Sequence, residues 1–159
     1  MALGLVRIDD RLIHGQVLLS WCPKIKPDRI ILCHDEIAKN DLERKIYEEA
    51  ANDYPVSILT VEETIRYLRD STHEKEKILL LVESPREVVA LLEAGIHINK
   101  INVGGMHHKA GKKSIAPYVY VDDEDIEFFK RLHEKQVVIE AQDLPSSKPI
   151  NLAKLLNFN

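Results

Sequence analysis

The chain has 159 residues, with 22 Lys plus Arg against 26 Asp plus Glu, a formal net charge of −4, and 45% hydrophobic but only 6% aromatic residues. A chain of this length is the size of one domain, 1–159, and buries about 70% of its unfolded surface, so an aliphatic core needs no disulfide or metal. The acidic balance argues against electrostatically driven nucleic-acid binding, and no apolar run approaches the roughly 20 residues that span a bilayer.

From the N-terminus, MALGLV reaches Arg7 before a signal-peptide core forms, which points to a cytoplasmic protein. Short β-rich runs are expected at 3–8, 29–33, 56–59, 78–82, 100–103, 118–121 and 137–141. Ile78-Leu79-Leu80-Leu81-Val82 is apolar at every position, as in a strand covered on both faces. Between these runs lie helix starts. Asn40 with Glu43, Thr60 with Glu63, and Ser84-Pro85 with Glu87 each place a glutamate three positions after a cap residue. Gly95 then suits a helix stop, Asp122 opens a helix with Ile126, Phe129 and Leu132 inward, and a short helix closes the chain at 151–156. Pro145 to Pro149 reads as a loop within one domain. Alternation at this spacing predicts an α/β domain: a doubly wound, mostly parallel sheet flanked by helices on both faces. Ligands of such sheets bind beyond the carboxyl ends of strands, so the loops at 9–15, 34–40, 84–85 and 104–111 are candidates. Cys22 and Cys33 form neither a CxxC pair nor a framework and read as buried small hydrophobes in a reducing compartment.

The stretch Arg7-Ile8-Asp9-Asp10-Arg11-Leu12-Ile13-His14-Gly15-Gln16-Val17 ends the first strand and begins the first helix. Arginine meets phosphate with a planar fork of donors, and a helix start adds amide donors for an anion. Asp9 or Asp10 would hold an arginine in place, and Gly15 removes bulk beside the histidine. A neutral imidazole, with an unperturbed pKa near 6.5, is a nucleophile for phosphorus, with Arg7 and Arg11 balancing oxygen charge without a metal. The residues alone are equally those of a capping histidine among surface ion pairs.

The run RIDDRLIHGQV resembles the active-site loop of the IIB proteins of the bacterial phosphotransferase system, in the mannose/fructose/sorbose family. The likeness continues through Trp21, RIILC followed by HDEIA, ILLLVESP, INVGGM and VDDEDIEFFKRL, and so covers nearly the whole chain. The resemblance implies a protein that takes a phosphoryl group from a phosphohistidine on a IIA partner. It would pass that group to a sugar at the membrane components IIC and IID, working at the inner face of the membrane with no cofactor. It makes His14 the phosphorylated residue, through Nδ1, with Arg7, Asp10 and Arg11 orienting phosphate, Gly15 and Gln16 at the helix start, and Ser84 in support. The chain departs from the family pattern at His34 and in His107-His108-Lys109-Ala110-Gly111-Lys112-Lys113.

Other readings are weaker. His107-His108 with His34-Asp35 lacks metal-ligand spacing. Gly104-Gly105 is too short for a dinucleotide fingerprint and reads as a tight turn. Lys109, Lys112 and Lys113 form a basic patch suited to an acidic partner, and Tyr118 and Tyr120 read as packing. The alternatives to a sugar phosphotransferase are a phosphorylation-dependent regulatory or binding module on the same fold and, more distantly, a metal-dependent hydrolase using His14 with Asp9.

Overall fold

The computed structural model describes residues 3–51 and 53–158. β1 (Leu3–Asp9), β2 (Arg29–Cys33), β3 (Val56–Leu59), β4 (Ile78–Val82), β5 (Lys100–Gly105), β8 (Val138–Ala141) and β9 (Ile150–Asn151) form one sheet in the order β3-β2-β4-β1-β5-β8-β9. Every pairing is parallel except that of β8 with β9. β1 is central, with β4 on one side and β5 on the other. The chain fills the β4 side first and then crosses over, so the carboxyl end of β1 lies at the reversal of strand order.

Alternation along each strand sorts side chains onto two faces. Val6, Ile31, Leu80, Val82, Ile101 and Val103 join one buried cluster with residues of α4 (Val61–Arg69), α5 (Pro85–Glu93) and α6 (Asp123–Glu134). Ile30, Leu32, Leu79 and Leu81 join the other, with Leu12, Ile13, Val17 and Cys22, and with Ile37 and Ala38 of α2 (Asp35–Ala38). α3 (Asp41–Ala50) contributes a half-buried Tyr47 to that second cluster. The sheet is therefore doubly wound, as its alternation predicts. Among the described residues no helix is long and apolar enough to cross a membrane.

Three local expectations are corrected. The run at 118–121 is not a strand of the parallel sheet: β7 (Val119–Val121) pairs antiparallel with β6 (Lys113–Ala116) in a separate hairpin. Gly104 and Gly105 are not a turn but the last two residues of β5. Ser84 does not form a capping box. Burial raises the pKa of Glu87, and Ser84 Oγ donates to its Oε2 at 2.6 Å instead of accepting from a helix amide. The box at Thr60 and Glu63 forms as read, Asn40 accepts from the Glu43 amide at 3.0 Å, and Gly95 follows α5 with φ +92°.

The first helix carries an irregularity that matters for the site. It opens with the Leu18 amide donating to the His14 carbonyl at 3.1 Å, then widens to a π turn over Val17–Trp21 before α1 (Cys22–Ile25). Pro23 has no amide to offer Leu19, and its ring would clash with that carbonyl in a regular helix. The wide turn accommodates this, with Val17 and Trp21 both buried.

Candidate active site

β1 delivers Arg7 and Asp9 to the same face of the sheet, opposite Val6 and Ile8, and both are wholly buried. An unpartnered guanidinium there would cost several kcal/mol. Arg7 instead donates from Nη1 to Asn102 Oδ1 and to the Gln142 carbonyl at 2.9 Å, and from Nη2 to the Asp143 carbonyl at 3.0 Å. Its Nη2 also lies 3.5 Å from Asp9 Oδ2, and its Cζ sits 4.6 Å from the Trp21 ring centre. Trp21 Nε1 donates to the Asp143 carbonyl at 2.9 Å, so the loop after β8 is strapped over the arginine from two directions. Burial lowers the Arg7 pKa to about 10, against the raising pull of Asp9, so the group stays charged at neutral pH.

The pair of glycines is explained by this guanidinium. A Cβ at Gly104 would stand 2.6 Å or less from three of its atoms, and the β1–β5 register slips at this point, from Ile8 opposite Val103 to Asp9 opposite Gly105. Glycine is required here by a close approach, not by a turn.

Asp9 gathers the second arginine. Its Oδ1 accepts from the Arg11 backbone amide at 3.1 Å and from Nε at 3.0 Å, and its Oδ2 accepts from Nη2 at 2.9 Å. Arg11 Nη2 also donates to Gln16 Oε1 at 3.0 Å. Of the two aspartates it is thus Asp9 that holds the arginines. Asp10 turns outward to His107. Two guanidinium groups share one buried carboxylate, which leaves an excess of positive charge beside the histidine. Arg11 stays 37% exposed, so its outer donors can reach an incoming anion.

His14 sits where the chain turns from β1 into the helix. Leu12 adopts a left-handed backbone, φ 63°, strained for a γ-branched side chain and held by burial of that side chain. This turns the Leu12 carbonyl onto His14 Nδ1 at 2.8 Å. A carbonyl only accepts, so Nδ1 carries the proton. Nε2 is buried, has no hydrogen-bond partner among the described residues, and lies 3.7 Å from Asp9 Oδ2. Burial lowers the His14 pKa, with Arg11 and Arg7 acting the same way and the Leu12 and Asp9 contacts opposing them. The imidazole is accordingly kept neutral. A Cβ at Gly15 would meet nothing within 4 Å, so the space at the start of this helix is open.

The structure thus brings together Arg7, Arg11, His14, Gly15 and Gln16. Arg7 has no exposed surface and lies beneath, against Asp9 and the strapped loop. Ser84 lies with Asp10 along a neighbouring groove lined also by Lys109 and Lys112, and its hydroxyl is engaged by Glu87. Asn102, Gln142 and Asp143 escaped the sequence reading. The signal for Asn102 was an asparagine and two glycines in a strand whose other residues after Lys100 are buried and apolar. Two of the other histidines have partners of their own: His34 caps α2 and lies 2.9 Å from Glu83 Oε2, and His108 packs edge-on against Tyr120. No group of three His, Cys, Asp or Glu suited to a metal occurs among the described residues. Lys112 is tied to Asp125 at 2.8 Å, leaving Lys109 and Lys113 as the exposed part of the basic patch. Burial pushes the Cys22 thiol up to about 11 and the Cys33 thiol up to about 12, in keeping with inert packing.

Comparison with known proteins concerns the chain as a whole. A family model described as the PTS system sorbose subfamily IIB component matches residues 3–159. The sorbose-specific EIIB component of Lacticaseibacillus casei is 38% identical over 141 residues, covering 88% of this chain and 86% of that protein. The mannose-specific EIIAB component of Escherichia coli K12 is 33% identical over 99% of this chain, which spans about half (49%) of that longer relative. Among solved structures, the IIB domain of the sorbose permease of Klebsiella pneumoniae superposes with a TM-score of 0.94 at 30% identity, covering 99% of this chain and 97% of that one.

Proposed function

Since this chain belongs to the sorbose-subfamily IIB components of the phosphotransferase system, and is therefore a phosphotransferase component of sugar uptake, we propose that His14 is the residue that carries the phosphoryl group. The observation that supports this best is a neutral, half-buried imidazole beside two arginines that share a single carboxylate. A phosphohistidine on a IIA protein or domain is the donor, and the sugar bound by membrane components IIC and IID is the acceptor. The protein works at the cytoplasmic face of the membrane.

The chemistry follows from the charges. In-line attack by an imidazole nitrogen transfers a phosphoryl group whose equatorial oxygens need cations. Arg11 supplies its outer donors directly. Arg7 supplies field and rigidity from below, and Asp9 keeps both arginines aimed before the phosphate arrives, so little reorganisation is needed in the transition state. The Gly15 and Gln16 amides at the helix start add donors for an anion. With Nδ1 bonded to the Leu12 carbonyl and Nε2 buried, the ring must turn to attack. Transfer through Nδ1 requires the Leu12 bond to break and the remaining proton to sit on Nε2. Asp10 and Ser84 shape the rim without touching the imidazole.

The test of this reading is onward transfer. Protein phosphorylated from phosphoenolpyruvate through the general phosphotransferase proteins and a IIA is mixed with membranes containing cognate IIC and IID and labelled sugars. Loss of the phosphoryl group with formation of sugar phosphate is expected. A phosphorylated protein that discharges to no sugar would make it a regulatory module instead.

A further inference from the structure

An asparagine in the middle of a buried strand must find partners for both the oxygen and the nitrogen of its amide. Asn102 is 2% exposed and stands opposite Arg7 in the β1–β5 register. Which end of its amide meets the arginine follows from a chain of hydrogen bonds. Gln142 Nε2 donates to the Pro145 carbonyl at 3.2 Å and to the Ser147 carbonyl at 2.8 Å. Carbonyls only accept, so the nitrogen of Gln142 belongs to the loop after β8 and Oε1 is left for the strand. Asn102 Nδ2 donates to that Oε1 at 3.2 Å, which leaves Asn102 Oδ1 to accept from Arg7 Nη1.

The result is a buried guanidinium met mainly by oxygens without charge. Asn102 Oδ1 and the Gln142 and Asp143 carbonyls accept from it, and its Nε has no hydrogen-bond partner among the described residues. The carboxylates around it are engaged elsewhere. Asp9 Oδ2 is 3.5 Å from Arg7 but 2.9 Å from Arg11, and the same oxygen lies 3.7 Å from His14 Nε2. Glu140, opposite Asn102 on β8, is paired with Lys100 Nζ at 2.7 Å. Asp143 Oδ1 accepts the Leu144 amide at 2.9 Å, and its pull on Arg7 is weaker than that of Asp9. An aspartate at position 102 would have the place to neutralise Arg7. The loop disfavours it, because its second oxygen would face Gln142 Oε1.

We propose that Asn102 is a positioning residue for phosphoryl transfer, acting through Arg7: it holds the guanidinium with a neutral oxygen and so keeps the cation's charge available to the phosphoryl group. This rests on His14 being the carrier. A carboxylate would hold Arg7 equally well but cancel its charge. A smaller neutral side chain would spare the charge and hold the guanidinium less firmly. Asn102 makes and breaks no bond to phosphorus. Arg7 is buried away from any donor protein, so the effect falls on the rate of transfer and not on affinity for the donor.

The experiment uses the full chain with phosphoenolpyruvate, the general phosphotransferase proteins and a IIA of this family. Intact mass shows whether one phosphoryl group is gained, and rapid quench gives the rate and the KM for the phosphorylated IIA. NMR of 15N-histidine-labelled protein follows the His14 titration. Asn102→Asp should accept phosphate about tenfold more slowly at unchanged KM. Its His14 pKa should lie above the wild-type value, because a neutralised Arg7 no longer disfavours the imidazolium. Asn102→Ser, smaller and neutral, should lose stability in denaturant, keep the His14 pKa low and slow transfer less than Asn102→Asp. Gln142→Glu, with its charge one hydrogen bond further from Arg7, should shift rate and pKa the same way by less. Should Asn102→Asp not fold, Gln142→Glu decides. A wild-type rate or an unmoved His14 pKa in the folded charge variant, or equal slowing in Asn102→Ser, overturns the inference and leaves the His14 assignment standing. Absence of any mass gain in the wild type removes both.

Discussion

Two clusters of similar composition occupy opposite ends of the same sheet. At the amino end of β2 and β4, Arg29 bonds Glu76 at 3.0 Å, Tyr67 donates to the same carboxylate, and His73 stacks on Tyr67 with ring centres 3.8 Å apart. At the carboxyl end of β1, Arg7, Arg11, Asp9 and His14 use nearly the same residue types. The difference lies in charge count and water. Arg29 is one cation with one carboxylate, both partly exposed, whereas Asp9 is buried beneath two cations and beside a desolvated histidine. Residue types alone do not mark a site; an unbalanced buried charge at the reversal of strand order does.

Substitutions test that contrast. Arg7→Ala leaves Asp9, Asn102 and two carbonyls without their buried partner, and a loss of about 3–5 kcal/mol in denaturant unfolding is expected. Arg29→Ala, at the solvated end, should cost about 1 kcal/mol. Equal losses would show the two ends to be alike. Gly104→Ala drives a methyl group into the guanidinium and should cost about 1–3 kcal/mol by the same measurement. Gly15→Ala, facing open space, should cost nothing in stability.

Arg11→Ala should fold normally and accept phosphate roughly 100-fold more slowly in rapid-quench assays, since it removes charge needed as transfer proceeds. A smaller effect concerns pH. The folded His14 pKa lies below 6.5, so the unfolded chain binds more protons, and this residue lowers stability as pH falls through 6.5. Phosphoryl acceptance should likewise hold at pH 6.5 and fail only further into acid. In Arg11→Ala the lowering charge is gone and Asp9 is left less compensated, so the acid limb should move upward. An NMR titration of His14 showing no difference between the two proteins would separate Arg11 from the histidine.

Much of this was legible in the sequence because strand alternation and capping residues are local signals. The parallel strands, the full capping box at Thr60 and the apolar β4 follow from neighbouring residues. β6 was missed because its Lys-Ser-Ile-Ala run lacks a buried pattern and depends on a hairpin partner. The Arg-Asp-His stretch was visible as a candidate site, but not its layering. That Arg7 lies beneath and Arg11 above is set by residues almost a hundred positions away, Asn102 and Gly104, and by the strap at Gln142 and Asp143. Ser84 was misread because the environment of Glu87, not the spacing, decides where a hydroxyl points. The local motif could not separate Asp9 from Asp10, since the choice depends on which of them faces into the sheet.

The central claim is tested most directly by locating the phosphoryl group. Protein incubated with phosphoenolpyruvate, the general phosphotransferase proteins and a IIA is digested at neutral pH, and its peptides are sequenced by mass spectrometry. One acid-labile phosphoryl group on His14, absent from His14→Ala and present in Arg11→Ala after long incubation, is the expected result. A phosphoryl group on any other residue, or an undiminished gain in His14→Ala, would contradict it.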